Sequence, residues 1–258
     1  MKRSTLFAAT ALSVAMAAGA MAGTIGVNIT INRDGGGPND SDIASGDVSG
    51  LVPQDMWNNA YAEFAGDGNI HAFTGGSDAL VGTGGETATI TNNSATGNWR
   101  TQNLNGSGSD ATHYLFDGYL EASIEQGTLA SLTIDGLDEA AFANGYDVVV
   151  YFGIESGTRN GFVGLNGSSE SVVVTAEFDN FDTDPLDGDG VNTYVFSGVT
   201  GDSFTVTAQG DTTGDRLGIA GLQIVPVQIP EPASVVLLAL VGGMVVLADG
   251  RRFPLRRG

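Results

Sequence analysis

The chain has 258 residues, no cysteine and a formal charge of −20, so disulfides, thiol catalysis and cysteine-based metal sites are excluded. Residues 23–229 hold four arginines (Arg33, Arg100, Arg159 and Arg216), no lysine and all but two of the 30 acidic residues, a formal charge of −24. Nucleic acid is excluded as a partner, because phosphate binding needs the opposite sign; the acids keep the surface soluble, self-repelling and attractive to divalent cations.

The N-terminus reads as an export signal. Lys2 and Arg3 precede an alanine-rich apolar stretch over residues 6–18 and the small-x-small site Ala20-Met21-Ala22. The apolar stretch is too short to span a bilayer. Residues 1–22 are therefore expected to be a cleaved signal peptide, with the mature chain beginning near Gly23.

Residues 23–229 are expected to form one extracellular domain. The chain has 39 glycines, and Asn, Asp, Ser and Thr fill most polar positions of the body, which is turn chemistry repeated along its length. Between the turns lie β-branched and aromatic runs, predicting strands at 24–31, 87–91, 129–134, 146–152, 161–165, 171–178, 193–196, 203–208 and 220–227. Residues 32–50 are expected to be a long surface loop, and residues 56–64 a short helical turn. Period-two alternation puts Val172, Val174, Ala176 and Phe178 on one face, with Thr175 and Glu177 opposite; Phe204, Val206 and Ala208 alternate with Thr205 and Thr207. In the final strand Leu222 and Ile224 are expected to face the core. The spacing predicts an all-β fold, a jelly-roll-like antiparallel β-sandwich.

Candidate chemistry is sparse. Five aspartates fall between Asp179 and Asp189. Like charges this close repel, so an ordered loop needs a hard cation, and Asp182, Asp184, Asp187 and Asp189 are the candidate calcium ligands. The spacing is not that of an EF-hand, and a solvated acidic loop is the alternative. Trp57 (with Asn58 and Asn59) and Trp99 with Arg100 are candidate carbohydrate platforms, with Tyr114 and Tyr119 as additions; packing inside the sandwich is the commoner fate of a lone tryptophan. Neither histidine, His71 or His113, sits in a catalytic motif, and His113 is expected at a strand edge.

The C-terminus begins with Pro230-Glu231-Pro232, continues as an apolar run over residues 233–248, and ends with Arg251, Arg252, Arg256 and Arg257. Sixteen helical residues span about 24 Å, and starting from Ile229 brings the run closer to a full bilayer crossing. The arginines would stay cytoplasmic and leave the body outside. This order resembles the PEP-CTERM sorting signal of bacterial surface proteins. The resemblance implies a single C-terminal transmembrane helix within residues 230–258 and processing by an exosortase. The membrane anchor is then transient, and the protein passes to the cell surface or extracellular matrix. Two phrases of the body, Val52-Pro53-Gln54-Asp55-Met56-Trp57-Asn58-Asn59 and Arg216-Leu217-Gly218-Ile219-Ala220-Gly221-Leu222-Gln223-Ile224-Val225, resemble uncharacterised secreted proteins of planctomycete-type bacteria with the same tail. That likeness implies a jelly-roll-like sandwich and no established activity. The expected function is a non-catalytic structural or interaction protein. A carbohydrate-binding module for extracellular polysaccharide is the alternative, and a hydrolase a third reading.

Overall fold

The computed structural model describes residues 23–32, 42–64, 70–73, 77–94, 98–100, 111–122, 127–154, 157–176, 181–183, 190–212 and 216–227, with backbone only at 31–32, 61–64, 70–73, 77–78 and 98–100. In chain order the elements are β1 (Ile25–Asn32), β2 (Trp57–Phe64), β3 (Ile70–Phe73), β4 (Ser77–Val81), β5 (Thr87–Asn92), β6 (Asn98–Arg100), α1 (Ala111–Asp117), β7 (Gly118–Ala122), β8 (Ala130–Asp135), β9 (Tyr146–Gly153), β10 (Thr158–Leu165), β11 (Glu170–Thr175), β12 (Thr193–Val199), β13 (Ser203–Gly210) and β14 (Leu217–Pro226).

The strands form two sheets. One runs β12-β9-β14-β1-β2-β3, with β7 on β14 and β6 on β7; the other runs β11-β10-β13-β8-β5-β4. All nine predicted strands are present, although the one expected at 171–178 ends at Thr175, with residues 177–178 outside the described residues. Pairing is antiparallel except between β1 and β2, which run parallel from Gly26 opposite Trp57 to Asn32 opposite Glu63. The expected antiparallel pairing therefore holds between the named strands except at this pair. The helical turn expected at 56–64 is also corrected: these residues are β2. Ala and Glu favour helix locally, but the side chain of Asn58 fixes the extended form. Its amide donates to Gly26 O at 2.7 Å and Val81 O at 3.0 Å, and its carbonyl accepts from Val81 N at 2.9 Å.

Between the sheets lies the main core. Ile25, Val27 and Ile29 of β1, Val148, Val150 and Phe152 of β9, and Leu222 and Ile224 of β14 meet Leu132 and Ile134 of β8 and Phe204, Val206 and Ala208 of β13. The second sheet keeps a wet outer face. On it Thr133 and Thr205 hydrogen-bond through their hydroxyls at 2.9 Å, while their strand neighbours are buried. On β11, Val172 and Val174 face inward and Val173 outward, as expected, but Thr175 is also buried.

The first sheet is covered on both faces. Its outer face carries a second core made by Trp57, Leu115, Phe116, Tyr119, Val149, Tyr151 and Ala220. The cover is α1, which buries Ala111, Leu115 and Phe116 along one side, together with the segment from residue 42 to β2. In that segment Ile43 and Ser49 are 2% and 4% exposed while residues 44–48 between them are exposed, so the described part of the expected surface loop is pinned to the sheet at its two ends and keeps its middle in solvent. His113 and Tyr114 lie on this helix, not at a strand edge.

A bulge in β14 makes the two-faced burial compatible with one strand. Ile219 pairs with Phe152 and Gly221 with Tyr151, so Ala220 is an extra residue on the β14 side. Alternation therefore changes phase. Leu217 and Ile219 face the main core, and after the bulge Leu222 and Ile224 do so, while Ala220 joins the outer cluster. The partner on the other edge changes at the same place, from β7 to β1. Gly221 is required there, since a Cβ would come within 2.6 Å of Val27 O and 2.7 Å of a Leu115 methyl.

Candidate functional site

The two body phrases meet in space. Gln223 of β14, fully buried, donates from Nε2 to Val52 O at 2.7 Å and to Gln54 Oε1 at 3.1 Å. Its Oε1 accepts from Val52 N at 3.2 Å and from the hydroxyl of Tyr151. That hydroxyl accepts from Leu51 N at 2.7 Å. Gln54 donates to Met56 O at 2.6 Å, and Trp57 Nε1 donates to Gln54 O at 3.3 Å. Asn59 grips the start of the same segment, exchanging bonds with Ile43 N and O at 3.1 Å each and accepting from Asn28 at 3.0 Å. The two phrases are thus a clasp that fixes residues 42–57 on the first sheet.

Trp57 belongs to that clasp. It is 8% exposed, with its ring edge-to-face to Tyr151 at 6.1 Å. Phe116 and Phe181 complete the ring cluster around Tyr151, at 5.9 and 5.5 Å. The carbohydrate-platform expectation for Trp57 is therefore corrected, because neither ring face is open to a sugar. Tyr119 is corrected likewise, being fully buried. Trp99 and Arg100 lie on β6, and their side chains are outside the described residues. Burial drives the Tyr151 hydroxyl far above its ordinary pKa, and the bond from Leu51 N opposes this weakly.

A concavity among the described residues lies elsewhere, where the outer strands of the two sheets, β11 and β12, come together. Val191 stitches them, donating to Val173 O at 2.8 Å and accepting from Thr175 N at 3.1 Å. Asn192, fully buried, holds the approach: its Oδ1 accepts from Asp182 N at 2.9 Å and its N–H donates to Asp182 O at 3.2 Å. Beside this stitch a cleft of about 590 Å³ is lined by Glu170, Val172, Val173, Thr183, Gly190, Val191 and Tyr194, among others. Tyr194 packs on Phe196 with ring centroids 4.9 Å apart. Its hydroxyl pKa is raised, first by burial and second by the negative charge of Glu170. The cleft thus offers an aromatic ring, a carboxylate, a threonine hydroxyl and a valine floor. Such a set suits a neutral polyhydroxylated ligand, with apolar surface for a ring face and acceptors for hydroxyl groups.

Asp182 is the one described member of the expected calcium set; Asp184, Asp187 and Asp189 lie outside the described residues, as do Pro230, Glu231, Pro232, Arg251, Arg252, Arg256 and Arg257. Thr183 and Gly190, which flank the undescribed residues 184–189, both line the cleft. Among the described residues no group of three or more potential ligands is placed to hold a metal ion. Nor, among them, is any helix long and apolar enough to cross a membrane. Sequence reasoning missed Glu170 and Tyr194. Neither sits in a motif, and only the pairing of sheet edges brings them together.

No family model and no curated protein matches the chain. Among solved structures, it is similar to the catalytic unit of a thermostable GH87 alpha-1,3-glucanase from Streptomyces thermodiastaticus, at 14% identity and a TM-score of 0.31. The likeness covers 56% of this chain and 28% of that one, and at this score it supports no statement about fold or activity.

Proposed function

We propose that this chain is a secreted, non-catalytic β-sandwich of jelly-roll type, sorted by an exosortase through its C-terminal signal and displayed at the cell surface or in the extracellular matrix. One observation carries the reading. The last described strand, β14, lies inside the first sheet, paired along its length with β9 and on its other edge with β7 and β1. Three residues after Val227 the chain reaches Pro230. A body tethered through such a strand is held by an element that cannot be peeled from an edge, which suits display. The membrane helix over 233–248 and its arginine tail supply the transient anchor. The test is maturation of the full chain in a host that has an exosortase. Replacing Pro230, Glu231 and Pro232 with Ala is expected to leave full-length protein in the membrane. Unchanged C-terminal mass in the triple variant would overturn the sorting reading.

A second reading is favoured by the cleft beside β11 and β12: a module that binds extracellular polysaccharide. In this reading the platform is Tyr194, supported by Phe196, with Glu170 accepting hydroxyl protons. A glycan array on the secreted protein is expected to show binding that Tyr194→Ala removes. Binding unaffected by that change places the ligand elsewhere.

A further inference from the structure

Glu86 is a carboxylate in the wrong place for an ordinary surface acid. It is 8% exposed and sits at the end of the turn joining β4 to β5. Three of the five residues at 82–86 are glycines. The turn closes through Gly82 N to Glu86 O at 2.8 Å and Gly85 N to Gly82 O at 2.9 Å. This folds the chain around its own carboxylate, which accepts from Gly84 N at 3.0 Å. The described arginine side chains are elsewhere, Arg216 being paired with Glu121 at 3.2 Å. An ionised carboxylate in such a position is costly unless a cation meets it.

Its other partner is the backbone nitrogen of Gly23, 2.6 Å from Oε1. Thr24 is clamped beside it, donating to Thr83 Oγ1 at 3.0 Å and accepting from Thr83 N at 3.1 Å. The seat admits glycine only, since a Cβ on Gly23 would collide with Gly84 N and come within 2.7 Å of Glu86 Oε2. Gly23 is also the residue that follows Ala20-Met21-Ala22.

We propose that Glu86 is the receptor for the α-ammonium group created when the leader is removed. The inference rests on cleavage after Ala22. Hydrolysis of the Ala22–Gly23 amide puts the water's OH on the Ala22 carbonyl carbon and its H on Gly23 N; the freed amine then takes a proton from solvent. The same nitrogen that donated one peptide hydrogen bond becomes a cation with three donors against a buried carboxylate. Ion pairing then compensates the burial of Glu86 and fastens the start of β1, which pairs with β14 and β2 inside the first sheet. Leader removal thereby completes the fold, and the sandwich is more firmly closed once exported than before.

The test uses the full chain, secreted with its own leader. Lys2 is the only lysine, so a protein beginning at Gly23 has a single primary amine, its N-terminus. Mass spectrometry first reads where the mature chain begins. Acetylation by a water-soluble N-hydroxysuccinimide acetate is then followed by intact mass, in buffer and in urea. Only the neutral amine reacts, and each unit by which a carboxylate raises the α-amino pKa lowers that form about tenfold at a pH below both values. The native wild type is expected to acetylate about tenfold or more slowly than the unfolded chain, and Glu86→Gln to lose the protection. Native acetylation as fast as in urea overturns the proposal while leaving cleavage intact, as does full protection in Glu86→Gln. A mature chain starting elsewhere than Gly23 overturns the cleavage reading and the proposal with it. Should the variant fail to fold, the wild-type comparison alone decides.

Discussion

Single residues of this protein are most informative where polar atoms are buried. Tyr146 on β9 is fully buried between Phe142 and Phe204, and among the described residues its hydroxyl has no hydrogen-bond partner. Burial, with a smaller contribution from the negative charge of Asp202, pushes its pKa from 10.0 to about 12. The folded state therefore keeps a proton that the unfolded chain gives up. This contribution is intact below pH 10 and is lost as the pH rises through about 12. Urea unfolding between these limits is expected to show stability falling with pH. Tyr146→Phe should flatten that fall by up to about 1.4 kcal/mol per pH unit, with little change at neutral pH. Identical slopes for the two proteins would mean that this hydroxyl is not the titrating group. Tyr151, displaced further upward, remains in both and does not blur the comparison.

Among the elements, the segment from residue 42 to 57 depends most on one side chain. Gln223 reaches it from β14 through Val52 and Gln54 while also accepting from Tyr151. Gln223→Leu keeps the volume and removes every one of these bonds. Each buried group left unpaired costs about 1–3 kcal/mol, so a loss of roughly 2–4 kcal/mol is expected, with faster proteolysis inside residues 42–57. A loss under about 0.5 kcal/mol would show that the ring cluster holds the segment unaided. The same segment explains what the sequence could and could not reveal. Five strands of the second sheet were legible, β4 being missed, because one face is wet: Phe204, Val206 and Ala208 alternate visibly with Thr205 and Thr207. β9 and β14 were legible as apolar runs. β2 was not, since Trp57-Asn58-Asn59-Ala60 shows neither pattern, and its extended form comes from a parallel partner about thirty residues away. Burial was the commoner expectation for Trp57, but the residues that enclose it were invisible. An aromatic residue beside two asparagines still allows a sugar platform until Tyr151 and Gln54 are seen to enclose it.

The whole molecule is governed by its charge. A body at −24 with four arginines repels itself, so any salt is expected to raise its melting temperature by screening. Calcium coordination makes a different demand. Several carboxylates at 182–189 can be satisfied together only by a multivalent cation with oxygen ligands, and Asp182 already has its backbone fixed by Asn192. A ligand that binds the folded state alone stabilises it by RT ln(1 + [L]/Kd), about 2.7 kcal/mol at a hundredfold excess over Kd. Screening depends on ionic strength and not on which aspartates are present. The two effects therefore separate when melting is measured in calcium chloride and sodium chloride at matched ionic strength, for the wild type and for Asp184→Asn combined with Asp187→Asn. The expected outcome is a rise in both salts, an additional rise in calcium, and loss of only the additional part in the double variant. Equal responses to the two salts, or a calcium effect that survives both substitutions, would make residues 182–189 a solvated acidic run.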